Sequence, residues 1–512
     1  MKRTFLCILF ATLSIGTTFS QVDEDWLIPD GWIDQSNFNR FKNESKRQFY
    51  NYRDSINRRF AEVLARQWAS VEPQKPVKRT LKPDPVVAPV APKERPQRKP
   101  IEIPAKLSSE IQFPKDDIVA PKPHVDAPKL PLPDVNVTAD FLFYGTKLSI
   151  VAPDREQLDK CHLDDISEQS VAGFWQQLTD LQFYDFAAAI LEIKKEYHLD
   201  TWSTYLAIKH YAATLFPNSS DEQTIAIIYL MVQMDYDAFI ARTDDGLAML
   251  LCSRETIYNT TYVKIYADDQ RQTSHYLFFA NNKSSNYSGK IYTYSSPFES
   301  EEASHFEWIF HEQVLPLVEN KPSSKGYNYK SKGNNIDFSC NENLMRYLDD
   351  YPLTEFSVYA NFPVSEEFAN MVDHDFQFLV AGYDTMAALQ NLLTYMQYGF
   401  DYATDGDQFG HEKIFFCEEN FYYPQNDCED RAILFSYLVR RLLGLNVVLL
   451  QYEDHVATAV QLHNQTDGYY IEYEGNTFFI CDPTYIGASI GQIPAEYTKA
   501  EAQMILCKPI KR

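Results

Sequence analysis

Apolar side chains recur at helical spacing in the first part of the chain. Residues 36–68 contain no glycine or proline, and their apolar positions return at steps of three and four residues: Phe49, Tyr52, Ile56, Phe60, Val63 and Leu64. This spacing predicts one amphipathic helix with a largely aromatic face. Because a proline-rich stretch follows, we expect this face to be buried on a distant part of the chain or on a partner protein.

The middle of the chain mixes helical and strand periods. A hairpin is predicted over residues 137–150, and the helical period returns over residues 167–197, 201–215 and 221–234. The period then falls to two on both sides of Asp245-Gly246, which predicts a second hairpin. The strands expected there are residues 236–241, 247–252, 262–267, 275–280 and 290–294. These elements indicate an α+β region, and the pattern assigns no chemistry to it.

The last part of the chain has a different order of elements. A helix over residues 386–398 precedes a loop-rich stretch, residues 401–423, and a helix over residues 428–443 ends at Gly444. The strands expected after it are residues 447–452, 455–462, 469–473 and 477–481. This order predicts a C-terminal domain built from a helix and an antiparallel sheet.

The proline content and charge of residues 69–135 set this stretch apart from the rest of the chain. Residues 69–135 contain 15 of the 27 prolines and no glycine, and their 12 Lys/Arg against 9 Asp/Glu give a net charge of +3 in a chain of net charge −24. We expect a semi-rigid polyproline spacer; a proline-motif ligand and a segment lying along the acidic remainder are the alternatives. The chain is therefore predicted to be a multi-domain α+β protein, divided into residues 1–20 (leader), 21–68 (N-terminal helix), 69–135 (linker), 136–365 (middle region) and 366–512 (C-terminal domain).

The first twenty residues have the features of an export signal. Lys2 and Arg3 precede an apolar stretch over residues 5–15, and Thr18 and Ser20 stand at the −3 and −1 positions of a cleavage site. We therefore expect a secreted, periplasmic or extracellular protein. No later apolar run is long enough to predict a membrane span, and the strong negative charge argues against nucleic-acid binding.

Three motif matches are set aside. Residues 487–491 fit a G-x-S-x-G nucleophile pattern, but no histidine follows, so we interpret them as a loop. His311-Glu312 begins a zinc-protease pattern that Leu315 breaks. Residues 401–412 place acidic residues as a calcium loop does, but Ala403 stands at position 3 and no helix follows, so we expect a solvated Asp-Gly turn. We expect no metal site and no cofactor.

One motif carries chemistry, the sequence Asn-Asp-Cys-Glu-Asp-Arg-Ala over residues 426–432. Asn426 or Asp427 can cap the helix, which places Cys428 in its first turn. The helix dipole stabilises a thiolate there, and the Cys428 N–H faces the oxyanion that forms when an acyl group is attacked. The two acidic residues that follow oppose the thiolate, so a cationic partner is needed.

A histidine and an aspartate follow this cysteine at equal spacing. His455 begins a strand 27 residues after Cys428, and Asp482 ends another strand 27 residues later. A thiol needs a base to take its proton, and the imidazole needs a carboxylate to orient it. Asp454 points to the opposite face, so Asp482 is the better candidate for that role.

This arrangement requires a particular strand order. Residues 455–462 and 477–481 must pair antiparallel, and residues 469–473 must lie outside that pair. Ala457 and Ala459 share the face of His455, and we expect these small side chains to let the cysteine helix approach closely.

These segments resemble the transglutaminase-like superfamily of papain-fold thiol enzymes. The matching residues are 427–432 (DCEDRA), 454–459 (DHVATA) and 481–485 (CDPTY), within about a hundred residues from Met386 to Ile486. The resemblance implies a papain-type domain in which Cys428 is the nucleophile, His455 the general base and then acid, and Asp482 the orienting carboxylate.

The family also has an upstream side-chain oxyanion donor, often Trp or Gln. No tryptophan lies between Trp308 and Cys428. Gln397 or Gln408 would therefore have to supply this donor, and the sequence does not decide between them.

The function expected from these residues is acyl transfer from a protein or peptide amide through a thioester on Cys428. Water as acceptor gives a peptidase or amidase, which we prefer; an amine acceptor or a glutamine substrate gives a transglutaminase or deamidase. A binding or scaffold protein on an inactive fold of this type is the alternative from a different class.

The cysteine count leaves one thiol over. Seven cysteines follow the leader. If the six other than Cys428 pair at all, they form at most three bridges; these six are Cys161, Cys252, Cys340, Cys417, Cys481 and Cys507. We expect Cys428 to stay unbridged.

Overall fold

The computed structural model describes residues 35–79, 87–92, 100–109, 137–266, 272–283, 285–298, 315–331, 334–463 and 467–510. The predicted leader and the His311-Glu312 pair lie outside these ranges. Within them the chain is mixed α+β, with two larger sheets that are mainly antiparallel. No helix in these ranges is long and apolar enough to cross a bilayer.

The first half of the chain contains most of the helices and the first large sheet. Its helices are α1 (Gln35–Leu64), α2 (Arg155–Leu158), α3 (Glu168–Asp180), α4 (Phe186–Glu196), α5 (Thr201–Leu215) and α6 (Ser220–Gln233). Its strands are β1 (Ala69–Val71), β2 (Ile101–Glu102), β3 (Ala105–Leu107), β4 (Thr138–Phe143), β5 (Thr146–Val151), β6 (Ala238–Thr243), β7 (Gly246–Ser253), β8 (Tyr262–Tyr266), β9 (Gln272–Phe278) and β10 (Ile291–Thr293).

Helix α1 docks on the middle region of its own chain. Ile56, Phe60 and Leu64 of the predicted stripe are buried, whereas Tyr52 is 61 % exposed. The Phe60 ring packs edge-on against Trp175 of α3, with ring centroids 4.9 Å apart. Of the two expectations for this stripe, burial on a distant part of the chain is the one observed.

The predicted helix over residues 167–197 is two helices. Ser167 caps α3 by accepting from the Ser170 N–H, and α3 ends before Gln182, whose φ is +53°. A left-handed residue cannot continue an α-helix, so a short 3₁₀ turn (Phe183–Asp185) and α4 follow in a new direction. Apolar spacing on both sides of Gln182 stays helical, which is why the pattern did not reveal the break.

The first large sheet has the order β1-β10-β6-β7-β9-β8. Strands β6 and β7 pair antiparallel across the predicted Asp245-Gly246 turn, and β9 pairs with both β7 and β8. The predicted hairpin over residues 137–150 is also present, as the separate pair β4 and β5. Both hairpin predictions are confirmed.

The second half begins with elements that the pattern did not predict. These are β11 (Pro322–Ser331), β12 (Asn334–Asn341), α7 (Glu342–Asp349), α8 (Phe356–Asn361), α9 (Glu366–Asp375) and α10 (Gln377–Val380). The elements after them are α11 (Thr385–Tyr398), β13 (Asp401–Tyr402), α12 (Asp405–Gln408), β14 (Gln425–Asn426), α13 (Cys428–Leu438), β15 (Val447–Gln451), β16 (Val456–Gln461), β17 (Tyr469–Tyr473), β18 (Asn476–Cys481) and β19 (Ala502–Leu506). One π-helical turn (Val439–Leu443) extends α13 to Gly444, whose φ is +69°.

The second large sheet closes on itself. Its order is β2-β17-β18-β16-β15-β19-β3, so β2 and β3 are its outermost strands. Only two residues separate β2 from β3 in the sequence, and so few residues cannot span an open sheet of this width. The two edges therefore lie side by side, and residues 101–107 close the sheet into a barrel.

The spacer interpretation of the proline-rich stretch is wrong for its described parts. Strand β1 pairs with β10 of the first sheet, while β2 and β3 pair with β17 and β19 of the barrel. Ile103, between β2 and β3, is buried in the barrel interior. The observed arrangement is the alternative in which this stretch lies along the rest of the molecule, because its short extended pieces complete sheet edges that would otherwise lack hydrogen-bond partners.

Candidate active site

Cys428 is the first residue of helix α13. Asp427 caps the helix, and Asp430 accepts from the Asp427 N–H at 3.4 Å and from the Phe415 N–H at 2.8 Å. These contacts fix the start of the helix and hold the preceding loop against it. The Cys428 side chain is fully buried, so the helix start lies inside the protein and not at its surface.

His455 and Asp482 meet at one end of the barrel. Strands β16 and β18 pair antiparallel with Thr458 opposite Cys481, which brings the residues just before β16 and just after β18 together. His455 Nε2 lies 2.8 Å from Asp482 Oδ2, and both side chains are buried. Strand β17 pairs with the other side of β18. This is the strand order that the sequence argument required.

The second oxygen of Asp482 is also bound. Asp482 Oδ1 accepts from the backbone N–H groups of Thr484 (2.9 Å) and Tyr485 (3.1 Å). The turn after β18 therefore holds the carboxylate in place, and one oxygen remains directed at the imidazole of His455.

Two tyrosines pack around the imidazole. The Tyr497 ring stacks on His455 with centroids 4.9 Å apart, and Tyr452 lies 4.9 Å from Tyr497. Burial raises the pKa of Tyr497, and the negative charge of Asp454, which accepts from its hydroxyl, raises it further. Helix α13, which Cys428 begins, packs against β16, the strand that His455 directly precedes.

The thiol has a carboxylate neighbour. Cys428 Sγ donates to Glu429 Oε2 at 3.0 Å. Glu429 forms one carboxylate group with Asp405 and Glu412, and Asp405 forms another with Asp427 and Asp430; the oxygens of each group lie within 4.8 Å of one another. The solvated turn expected over residues 401–412 is therefore wrong for Asp405, which is buried.

Burial favours the protonated form of two carboxyl groups in this cluster, those of Asp430 and Glu412. Burial raises the pKa of Asp430 well above its ordinary range, and the charges of Asp405 and Glu429 add to the effect. Burial and the charge of Glu429 raise the pKa of Glu412 to about 7. These carboxylates are the residues beside Cys428 that could hold a cation, but an acidic cluster alone does not define a site.

A buried arginine supplies positive charge. Arg431 Nε donates to Asn426 Oδ1 at 2.8 Å, and another of its nitrogens donates to the Phe400 carbonyl at 2.9 Å. Burial lowers the pKa of Arg431, while Asp427, Asp430 and Cys428 are among the groups that raise it. The sequence motif contained this arginine, but its type alone did not show that it would be buried beside the acidic groups.

The two candidate oxyanion donors are both engaged elsewhere. The amide nitrogen of Gln397 donates to the carbonyls of Asp482 and Ala488, each at 3.2 Å, and its oxygen accepts from the Gly487 N–H. Gln408 donates to the Gln425 carbonyl at 3.2 Å. Gln397 thus holds the loop after Asp482, a positioning contact that the sequence did not indicate. The backbone N–H of Cys428 remains the oxyanion donor expected from the sequence.

The expected role of Ala457 and Ala459 is wrong. Both belong to the barrel interior with Ile103, Leu450 and Met504. Helix α13 packs on the other face of β16, whose Val456 and Val460 share a core with Ala432 and Phe435. Strand β16 is apolar on both faces because it lies between the barrel interior and the helix, so alternation could not show which face the helix covers.

The seven described cysteines, including Cys428, are not in disulfides, and all are buried. Residues 487–491 form a loop with two left-handed glycines, Gly487 and Gly491, as expected.

Comparison of the chain with family models, with curated proteins and with solved structures found no match.

Proposed function

We propose that this protein is a thiol enzyme that transfers the acyl group of a protein or peptide amide to water through a thioester on Cys428. The observation that carries the proposal is the 2.8 Å contact between His455 Nε2 and Asp482 Oδ2, together with a buried cysteine at the start of the helix that packs on β16. The resemblance to transglutaminase-like, papain-type enzymes assigns the same three residues the same roles.

The contact with Asp482 assigns the two ring nitrogens. Nε2 donates to the carboxylate, which leaves the lone pair on Nδ1 to accept the thiol proton. The thiolate then attacks the amide carbon, and the oxyanion meets the Cys428 N–H and the positive end of α13. The imidazolium returns the proton to the leaving amine, and water cleaves the thioester with His455 again as base.

Glu429 holds the thiol in a hydrogen bond. In the structure the Cys428 thiol donates to the Glu429 carboxylate at 3.0 Å. Proton transfer to His455 therefore requires the thiol to leave this hydrogen bond, and a carbonyl that enters beside Cys428 would compete for the same space. Cys428, His455 and Asp482 are 0 %, 1 % and 0 % exposed, so substrate reaches the thiol only after the residues that cover it have moved.

The complete burial of Cys428 also favours a second candidate, a binding or scaffold protein whose thiol is inert. A thiol that donates to a carboxylate, with both candidate glutamine donors engaged in other contacts, fits a fold that no longer performs catalysis. The two candidates differ in whether Cys428 reacts in the native protein.

One experiment distinguishes these candidates. Wild type and Cys428→Ala are incubated with a peptide library, with and without a fluorescent primary amine, and the products are identified by mass spectrometry. Cys161→Ala, which removes another buried thiol, is the matched control. Cleavage by wild type and Cys161→Ala but not by Cys428→Ala supports the hydrolase, whereas Cys428-dependent amine incorporation or glutamine deamidation supports a transglutaminase or deamidase.

Alkylation completes the test. Iodoacetamide near neutral pH should modify Cys428 in the native wild type before the other buried thiols. If Cys428 is not modified selectively and no product depends on it, the enzyme proposal fails and the scaffold candidate stands.

A further inference from the structure

Three side chains of metal-binding type lie in one row across the first large sheet, far in sequence from the candidate active site. Cys252 of β7 is directly opposite His275 of β9 in the antiparallel register. On the other side of β7, the Cys252 N–H donates to the carbonyl of Asp237, the residue before β6. Directly opposite residues project to the same face of a sheet, so one face carries all three side chains.

The ligand atoms of this row converge. The Cys252 sulfur, a ring nitrogen of His275 and a carboxylate oxygen of Asp237 all lie within 4.8 Å of one another. His275 Nε2 and Asp237 Oδ1 are 3.1 Å apart. Two ligands on one tetrahedral zinc ion are separated by roughly 3.3 Å, given metal–ligand bonds of about 2.0–2.1 Å.

Burial makes this row an unusual place for polar groups. Cys252 and His275 are each 1 % exposed, and the Asp237 side chain is 14 % exposed. His275 Nδ1 has no hydrogen-bond partner among the described residues. Because Nε2 is the nitrogen that faces Asp237, Nε2 is the ring atom that this row offers to an ion.

We propose that Asp237, Cys252 and His275 form a binding site for a zinc ion or a similar borderline transition metal. A mixed sulfur, nitrogen and oxygen ligand set selects such ions over Ca²⁺ and Mg²⁺, which take oxygen ligands. On binding, the Cys252 thiol releases its proton to solvent and the thiolate bonds to the metal. One thiolate, one carboxylate and a neutral imidazole balance the two positive charges, so the buried complex carries no net charge.

Access and coordination number fit this proposal. The exposed part of Asp237 gives the ion a route from solvent. Three protein ligands leave a fourth position for water or another small ligand, as in zinc sites that are not purely structural.

The site is independent of the function proposed for Cys428, because it lies in the other sheet and uses none of the same residues. The ligands come from two strands and from the residue before a third, so no short motif in the sequence could indicate them.

The test uses the full chain, stripped of metal with a chelator and then titrated with Zn²⁺ or Co²⁺ alone. We expect one ion per chain at this site, with a thiolate-to-cobalt charge-transfer absorption band. Cys252→Ser should abolish the band, and Cys252→Ser and His275→Gln should each weaken Zn²⁺ binding at least about 100-fold, the upper range for loss of even an outer-sphere contact.

Two matched variants control for other thiols. Cys428→Ser removes the thiol of the candidate active site and Cys161→Ser a buried thiol of the middle region, and both should keep the band. If a core variant fails to fold, Asp237→Asn at the exposed end of the row tests the same site and should weaken Zn²⁺ binding. The proposal is overturned if metal-free wild type shows no band with saturating Co²⁺, if the band survives in Cys252→Ser, or if it disappears in Cys428→Ser.

Discussion

Asp482 binds His455 with one carboxylate oxygen and two backbone N–H groups with the other. An asparagine in its place can still accept from the backbone of Thr484 and Tyr485, but its amide N–H₂ would face His455 Nε2. The imidazole would then turn or take the other tautomer, and Nδ1 would no longer present its lone pair.

For Asp482→Asn we therefore expect a loss of about 10²–10⁴-fold in kcat/KM on any amide substrate of the wild type. The rate of Cys428 alkylation near neutral pH should also fall. Far-UV circular dichroism and thermal unfolding serve as folding controls. A folded Asp482→Asn variant with wild-type kcat/KM would exclude the orienting role.

Helix α1 is fixed to the middle region by a buried amide. Asn57 is 0 % exposed, and its Oδ1 accepts from Trp175 Nε1 (3.2 Å) and Gln233 Nε2 (3.0 Å). Asn57→Ala leaves two buried donors without their acceptor, so we expect the free energy of unfolding to fall by about 2–4 kcal/mol. Urea unfolding measures it. Tyr52→Ala, on the exposed side of the same helix, should change stability by less than about 0.5 kcal/mol; equal effects of the two variants would contradict this contact.

Glu412 predicts a pH dependence of stability. Its pKa in the folded protein is about 7, above the ordinary 4.5, so the folded state binds its proton more tightly than the unfolded chain does. The stabilisation is complete below pH 4.5 and is lost as the pH rises through about 7. Because 24 % of the side chain is exposed, we expect a loss of the order of 1–2 kcal/mol.

Glu412→Gln, which cannot ionise, isolates this contribution. The difference in unfolding free energy between the variant and wild type should shift in favour of the variant as the pH is raised from about 5 to about 8. Chemical denaturation at several pH values measures it. Glu62→Gln on the exposed side of α1 is the control, and a Glu412→Gln difference that stays constant with pH would disprove the shift.

Barrel closure can be tested at a single side chain. Ile103 is 3 % exposed in the barrel interior, whereas Ile101, two residues earlier, is 43 % exposed. Ile103→Ala should cost about 2–4 kcal/mol in unfolding free energy because it leaves a cavity, and Ile101→Ala should cost far less. Equal and small effects of the two substitutions would mean that the segment does not contribute to the barrel core.

The local pattern of apolar residues was sufficient to predict most helices and strands of the C-terminal barrel region. Strands β15 to β18 and helix α13 have strong periods and clear ends, and a short excursion through β17 leaves β16 and β18 free to pair. His455 lies directly before β16 and Asp482 directly after β18, so antiparallel pairing of these two strands was enough to predict that the two side chains meet.

Other features left no local signal. Strands β2 and β3 are two and three residues long, too short for any period, and their pairing depends on edges formed some 400 residues later. Strands β11 and β12 are largely polar, so apolar alternation does not mark them. The burial of Asp405 results from tertiary packing, because an Asp-Gly pair by itself indicates only a turn.

The closing segment of the barrel has a consequence for how the chain folds during synthesis. Residues 101–107 are made early, but their neighbour β19 begins at residue 502. At roughly 5–20 residues per second, translation of the intervening chain takes on the order of 20–80 s. During that interval the barrel interior that buries Ile103 does not yet exist. Strand β17 is synthesised before β19, the last strand of the barrel. The barrel therefore closes only after nearly the whole chain has been synthesised, and a chain that stops before β19 should leave two strand edges open to aggregation.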